Sequence, residues 1–331
     1  MSAIDVDQLF DRFPTIKIGV IGDVMLDTYW WGHVERISPE APVPVVALDQ
    51  KELRIGGAGN VALNLVALGA PVHIMSVIGT DTDGKDLSEL FAKSGIGTTY
   101  IVKSDKRITT NKTRIISRNQ QMMRLDAETT ADISSVEEKQ LLQSIQQYLD
   151  IVKPHVIIFE DYNKGVLTKN IIDTVIGWCR ERKIYTTVDP KKKNFFSYKG
   201  VTIFKPNLKE VKEGLNIHLD TVNEGSMADV HEKLREELQH EISFITLSEK
   251  GVFFQKENEP AIIPSHLRNI ADVSGAGDTV IAVASLIYAA TGDVHLMAEV
   301  ANIAGGLVCE EVGTAAINKN RLIQECKLLL S

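Results

Sequence analysis

The sequence predicts an α/β protein: a mostly parallel central sheet with helices on both faces and a small β-sheet lid. Three observations lead there. Short apolar runs rich in β-branched residues recur along the chain. Segments of helical period separate nearly all of them. The chain, 331 residues with 44% apolar and 24% charged, is also long enough to cover a sheet on both sides. Strands alternating with helices favour parallel pairing under two helical layers.

In chain order the expected strands are 17–21, 72–78, 156–159, 185–188, 201–204 and 244–247. The expected helices are 60–68, 87–93, 136–152, 169–182, 227–238, 276–290 and 294–312. Residues 43–48 and about 99–118 break the alternation and read as strands with no helix between them. They predict a small antiparallel sheet set apart, so the expectation is one domain, 1–331, with lid segments at about 30–50 and 98–125. Lys112, Arg114 and Arg118 occupy even positions there and would share one strand face. That face suits either a substrate phosphate or bulk solvent. The apolar residues opposite need a cover, for which a second subunit is a candidate.

Polar residues follow the expected strands closely: Asp23 the first, Glu160 and Asp161 the third, Asp189 the fourth, Asn207 the fifth. Open α/β sheets bind ligands beyond the carboxyl ends of their strands. Singly each residue reads as a cap or turn former; their recurrence on one edge indicates a site.

The segment Asp272-Val273-Ser274-Gly275-Ala276-Gly277-Asp278 runs straight into an apolar helix. Two glycines allow close backbone approach, and a helix start offers unpaired N–H groups and a positive dipole end. Together they make an anion site fit for phosphoryl transfer. Asp278, on the first turn, is a candidate general base. The same residues also describe an ordinary glycine loop with an aspartate near its helix start. A second cluster, Gly56-Gly57-Ala58-Gly59-Asn60, opens another helix. It lacks the G-x-G-x-x-G order of a dinucleotide fingerprint. It would bring amides near a sugar or simply make a tight turn. Residues 79–86 approach P-loop spacing, but Asp86 stands where the metal-binding Ser/Thr belongs and Asp81 and Asp83 would repel phosphates.

A net charge of −8 argues against nucleic acid as the main partner. The cysteines, Cys179, Cys309 and Cys326, show no metal or disulfide spacing and read as reduced thiols of a cytoplasmic protein. No apolar run spans a membrane, and the acidic N-terminus is unlike a signal peptide.

The 272–278 segment resembles the C-terminal signature of the PfkB sugar kinases, which share the ribokinase fold. The Gly56–Asn60 cluster resembles their N-terminal signature, Asn207-Leu208-Lys209-Glu210 their Asn-x-x-Glu motif, and residues 246–251 the turn that borders the nucleotide. Within the family, the runs 22–30, 36–45, 112–121, 124–126, 161–165 and 189–191 are similar to the branch acting on D-glycero-β-D-manno-heptose 7-phosphate. That branch makes the 1,7-bisphosphate used for ADP-heptose and lipopolysaccharide core.

The resemblance implies an ATP- and Mg2+-dependent kinase, with a monovalent cation as an option and Asp278 as catalytic base. Asp23, Asp27, Gly56, Gly57 and Asn60 would bind sugar hydroxyls, with Asp161 and Asp189 also at the substrate. Arg114, Arg118, Lys164, Lys191 and Lys112 would hold the sugar phosphate. Asn207, Lys209, Glu210, Ser248, Gly251, Gly275, Ala276, Gly277 and Asn302 would border ATP, with Asn207 and Glu210 near the magnesium, mainly through water. A homodimer through the lid sheet and a separate adenylyltransferase in the pathway are expected, since no H-x-G-H motif appears. Another PfkB substrate, or a non-catalytic sugar or nucleotide sensor on the same fold, are the alternatives.

Overall fold

Apolar runs become central strands here because alternate residues feed two separate cores. The computed structural model describes residues 5–118, 120–266 and 268–330; Asn119 of the 112–121 run and the first four residues lie outside them. In chain order these residues form α1 (Val6–Asp11), β1 (Ile18–Gly22), β2 (Val24–Ile37), β3 (Pro44–Gly57), α2 (Ala58–Ala67), β4 (Val72–Met75), β5 (Val77–Gly79), α3 (Thr82–Lys93), β6 (Val102–Ser104), β7 (Asn111–Ser117) and β8 (Gln120–Ala127). Then follow α4 (Ser135–Val152), β9 (Val156–Glu160), α5 (Lys169–Glu181), β10 (Tyr185–Asp189), β11 (Ile203–Phe204), α6 (Leu208–Leu215), α7 (Glu224–Leu238), β12 (Ile242–Thr246), β13 (Val252–Lys256), β14 (Glu259–Ile263), α8 (Ala276–Thr291), α9 (Val294–Val308) and α10 (Lys319–Leu329).

The main sheet has eight strands in the order β14-β13-β12-β11-β10-β9-β1-β4. It is parallel from β4 to β12 and ends in an antiparallel hairpin, β13 and β14. Ile18, Val20, Val156 and Ile158 pack on one face with Val61, Leu65, Ile281 and Val300. Ile21, Ile157 and Phe159 face the other way, onto Leu141, Ile145, Val175 and Leu234. Helix α8 is buried at nearly every position from Asp278 to Tyr288. An all-round apolar helix belongs in a core, so the residue opening it is held rigidly.

The lid is a four-stranded sheet in the order β3-β2-β7-β8. It is mixed rather than antiparallel, because β2 and β7 run parallel. The expected strand at 99–118 is two: β6 pairs with β5 in a separate ribbon, and the chain turns before β7 enters the lid. Likewise 72–78 divides at Ser76, whose hydroxyl donates to the Gly22 carbonyl at 2.6 Å. Helix α9 stops at Val308, short of the expected 312. Arg118 lies past the end of β7 with φ +46°. The pairing also shifts between Ile115 and Ile116, so Arg118 does not share a regular strand face with Lys112 and Arg114. Residues 79–86 start α3, where Asp81 takes the amides of Gly84 and Thr109, each at 2.7 Å, as a helix cap and not a phosphate loop.

Candidate active site

Gly275 opens α8 at φ +78°, and no side chain caps the helix. A Cβ there would lie 2.8 Å from the Asn60 amide nitrogen, so both backbone and space require glycine. The first-turn N–H groups have no acceptor within the helix and sit at its positive end. Asp278 stands on that turn, buried, with both oxygens held: Asn60 Nδ2 donates to Oδ2 and the Tyr162 hydroxyl to Oδ1, each at 2.7 Å. Burial pushes its carboxyl up to about 6, although both donors pull down. A base poised there is half to mostly ionised near neutral pH and able to accept a proton. Tyr162 was not anticipated as a site residue. Burial, then Asp278 beside it, hold its phenol well above the usual range, so it remains a donor.

Beneath this pair lies a buried charge network. Lys205, at the end of β11, reaches Asp189 Oδ2 at 2.7 Å, and Lys191 reaches Asp189 Oδ1 at 3.1 Å. Burial raises Asp189, but the two ammoniums outweigh it and hold the carboxylate below its usual range. A Cβ on Gly277 would stand 3.5 Å from Asp189 Oδ2 and 3.8 Å from Lys205 Nζ, which places this ion pair beside the start of α8. Lys205 escaped sequence reasoning; the signal was Lys205-Pro206-Asn207 closing a buried strand. Glu160 pairs in register with both Gly22 and Asp189. Neither of its carboxyl oxygens has a hydrogen-bond partner among the described residues. Burial, with Asp189 and Asp278 nearby, pushes it well above the ordinary carboxylate range.

Several of the residues expected at the sugar bind the protein itself. Asp23 accepts from the amides of Tyr162, Lys164 and Val166 at 2.9–3.0 Å. Asp161 accepts from Asn194 at 3.0 Å and Tyr198 at 2.8 Å. These two carboxylates pin the 161–166 loop that carries Tyr162. Asp27 pairs with Arg114 at 2.5 Å, and a Cβ on Gly56 would meet Asp27 Oδ2 at 2.4 Å. Gly57, at φ +59°, would strike the Asp23 carbonyl with its Cβ at 2.4 Å. Lys112 and Lys164 both meet Glu128, a residue the sequence did not single out. Arg118 is exposed beyond β7.

Of the residues expected at ATP, Asn207 and Glu210 form a reciprocal cap on α6: each main-chain amide donates to the other's side chain at 2.8 Å. The second oxygen of Glu210 takes Lys191 at 2.7 Å, which joins α6 to the Asp189 network. Lys209 points to solvent, its side chain 83% exposed and paired with Glu213, so it is not brought to the site. Gly251, at φ +94°, leaves no room for a Cβ against the Ile263 carbonyl. Ser248 and Gly251 share one turn, and Asn302 donates to the Pro264 carbonyl at 2.9 Å. Ala276 and Gly277 lie on the open turn of α8.

A buried carboxylate with a raised pKa, beside helix-start amides and a buried lysine at the carboxyl edge of a parallel sheet, suits a phosphotransferase. The pfkB family carbohydrate kinase pattern matches residues 15–321. The chain belongs to this pfkB family. It is 39% identical over 324 residues to the Bifunctional protein HldE of Geobacter sulfurreducens, covering 98% of this chain and 65% of that protein. It is also 39% identical over 310 residues to the Bifunctional protein HldE of Aliarcobacter butzleri, covering 93% and 64%. The chain therefore spans about two thirds of the length of these relatives. Among solved structures, phosphofructokinase-2 from Escherichia coli in complex with potassium superposes with TM-score 0.79 at 16% identity, over 95% of this chain and 99% of that one. Arabidopsis thaliana ribokinase complexed with ribose and ATP gives 0.71 at 15% identity, over 93% and 99%. These two share the ribokinase-like fold. Among the described residues no helix is long and apolar enough to cross a membrane.

Proposed function

We propose that the chain transfers the γ-phosphate of ATP to the anomeric O1 of D-glycero-β-D-manno-heptose 7-phosphate. Asp278 carries this reading: a buried carboxylate with a pKa of about 6, set on the open first turn of α8. It accepts the O1 proton while the Gly275–Asp278 amides and Lys205 stabilise charge on the group in transfer, and placement and electrostatics supply the rate. The heptose comes from the motif resemblance; the relatives named HldE match the chain over nearly its whole length. Lys112 and Lys164 form the subsite for its phosphate. Arg114, already paired with Asp27, orients the lid side of the sugar, and Lys191 belongs to the network under the transferred group.

No cluster of three His, Cys, Asp or Glu able to cage a metal occurs among the described residues. The oxygen donors of Asn207 and Glu210, engaged in their own helix cap, fit a magnesium held through water and the ATP phosphates. Magnesium so held would neutralise charge on the phosphates. The protein works in the cytoplasm as a homodimer through the lid. Trp30, Ile115 and Met123 line up across β2, β7 and β8, and Trp30, Met123 and Leu125 are exposed. ADP release with ATP and a panel of sugars tests the reading. The heptose 7-phosphate should turn over fastest; preference for an unphosphorylated sugar, or binding without ADP release, would overturn it.

A further inference from the structure

One carboxylate of the chain bridges the two lysines of the phosphate subsite. Glu128 follows β8, at the end of the lid sheet. Its Oε1 meets Lys164 Nζ at 2.7 Å and its Oε2 meets Lys112 Nζ at 3.4 Å. Lys164 belongs to the 161–166 loop of the body, Lys112 to β7 of the lid, so the carboxylate joins two parts that a ligand would also join. The lysine side chains are only 14% and 17% exposed. Charge-assisted contacts there are stronger than at an open surface. Lys112 also meets Asp126 at 3.1 Å, and Asp126 is itself held by Arg124 at 2.8 Å. Burial raises Glu128, but the two lysines outweigh it and keep its carboxyl below the usual range.

Two oxygens of one anion between two ammoniums is the arrangement a phosphate monoester would make. We infer that Glu128 is an internal stand-in for the substrate phosphate, holding the subsite until the sugar phosphate displaces it. The inference rests on the reading of Lys112 and Lys164 given above. It has a consequence for specificity. The carboxylate brings one negative charge, whereas a phosphate monoester brings about −1.5 to −2 at neutral pH. Exchange therefore gains charge on the same lysines. A neutral sugar cannot displace Glu128 with any gain, and a sugar acid only breaks even. Glu128 thus sets the charge a ligand must bring and is a specificity-determining residue.

The test uses Glu128→Gln in the full chain, with Glu128→Asp as a second variant that keeps the charge but withdraws it by one methylene. With heptose 7-phosphate, KM in Glu128→Gln should fall about three- to fivefold, the scale of a partly exposed ion pair. Inhibition by inorganic phosphate should strengthen by a similar factor, while KM for ATP and for unphosphorylated heptose stays put. Glu128→Asp should fall between. A KM that is unchanged or raised in Glu128→Gln, in a background where Lys164→Met raises it, overturns the inference and leaves Glu128 as a prop for the lysines. If Lys164→Met leaves KM for the sugar phosphate unchanged, the phosphate subsite itself is misplaced and both readings fall.

Discussion

The helices divide by how they begin. Among the described residues, eight of the ten start at a side chain that accepts one of their own first-turn amides: Asp5, Asp81, Ser134, Thr168, Asn207, Asn223, Asp293 and Asn318. Helices α2 and α8 start at glycines of positive φ, Gly57 and Gly275, with no side-chain cap. These two also meet, through the Asn60–Asp278 hydrogen bond. A capped start is satisfied by the chain and serves stability. A glycine start has no such side chain: the Ala58 amide donates to the Asp23 carbonyl at 3.0 Å and the Ala276 amide to the Val273 carbonyl at 3.3 Å, and only the later first-turn amides face a ligand site. The contrast is sharpest at the sheet edge, where α6 closes on itself through Asn207 and Glu210 while α8 stays open.

The comparison can be broken most forcefully at Asp278. Asp278→Asn should keep the fold and melting temperature yet lose at least about a hundredfold in kcat, the scale of a general base; near-normal turnover would mean the open helix is only architecture. Gly275→Ala comes next. An alanine held in the left-handed region costs about 1–2 kcal/mol, visible in denaturant unfolding, and its crowding of Asn60 should lower kcat about tenfold or more. A variant with full kcat would show that the glycine serves the turn alone. Tyr162→Phe sharpens the picture. Removing a donor from the Asp278 carboxylate disfavours its ionised form, so its pKa rises. The acid limb of kcat/KM should then move to higher pH by roughly one unit, the worth of a charge-assisted bond. An unmoved limb would separate Tyr162 from the base. Asn223→Ala, at a capped start, is the control: about 1 kcal/mol of stability lost with kcat and KM unchanged.

The parallel strands were legible because both their faces are buried, which writes a continuous apolar run such as Val156–Phe159. The lid strands were harder to read. β2 carries irregularities between Trp31 and Gly32 and between Val34 and Arg36, each of which resets the alternation a half-buried strand would show. The β13–β14 hairpin was missed although its strands are as long as β9 and β10, because Gln255, Lys256 and Glu259 interrupt its apolar run; helix α6 was missed as well. At the site, Asp278 and its glycines were readable because they are contiguous. Tyr162 and Lys205 were not, since each meets its partner only in the fold; the Tyr162–Asp278 contact joins residues 116 apart in sequence. The family resemblance placed Asp23 and Asp161 at the substrate, while residue by residue each read as a cap or turn former, and both hold the 161–166 loop in the fold.

The 161–166 loop gives Asp23 three amides, lends a phenol to Asp278 and sends Lys164 to Glu128 beside the lid. Kinetic constants measured on variants of this loop will therefore move in concert: a change meant to weaken ligand capture will also disturb the reacting oxygen's neighbour. A substitution in this loop therefore reaches Asp278 and the lid contact at once.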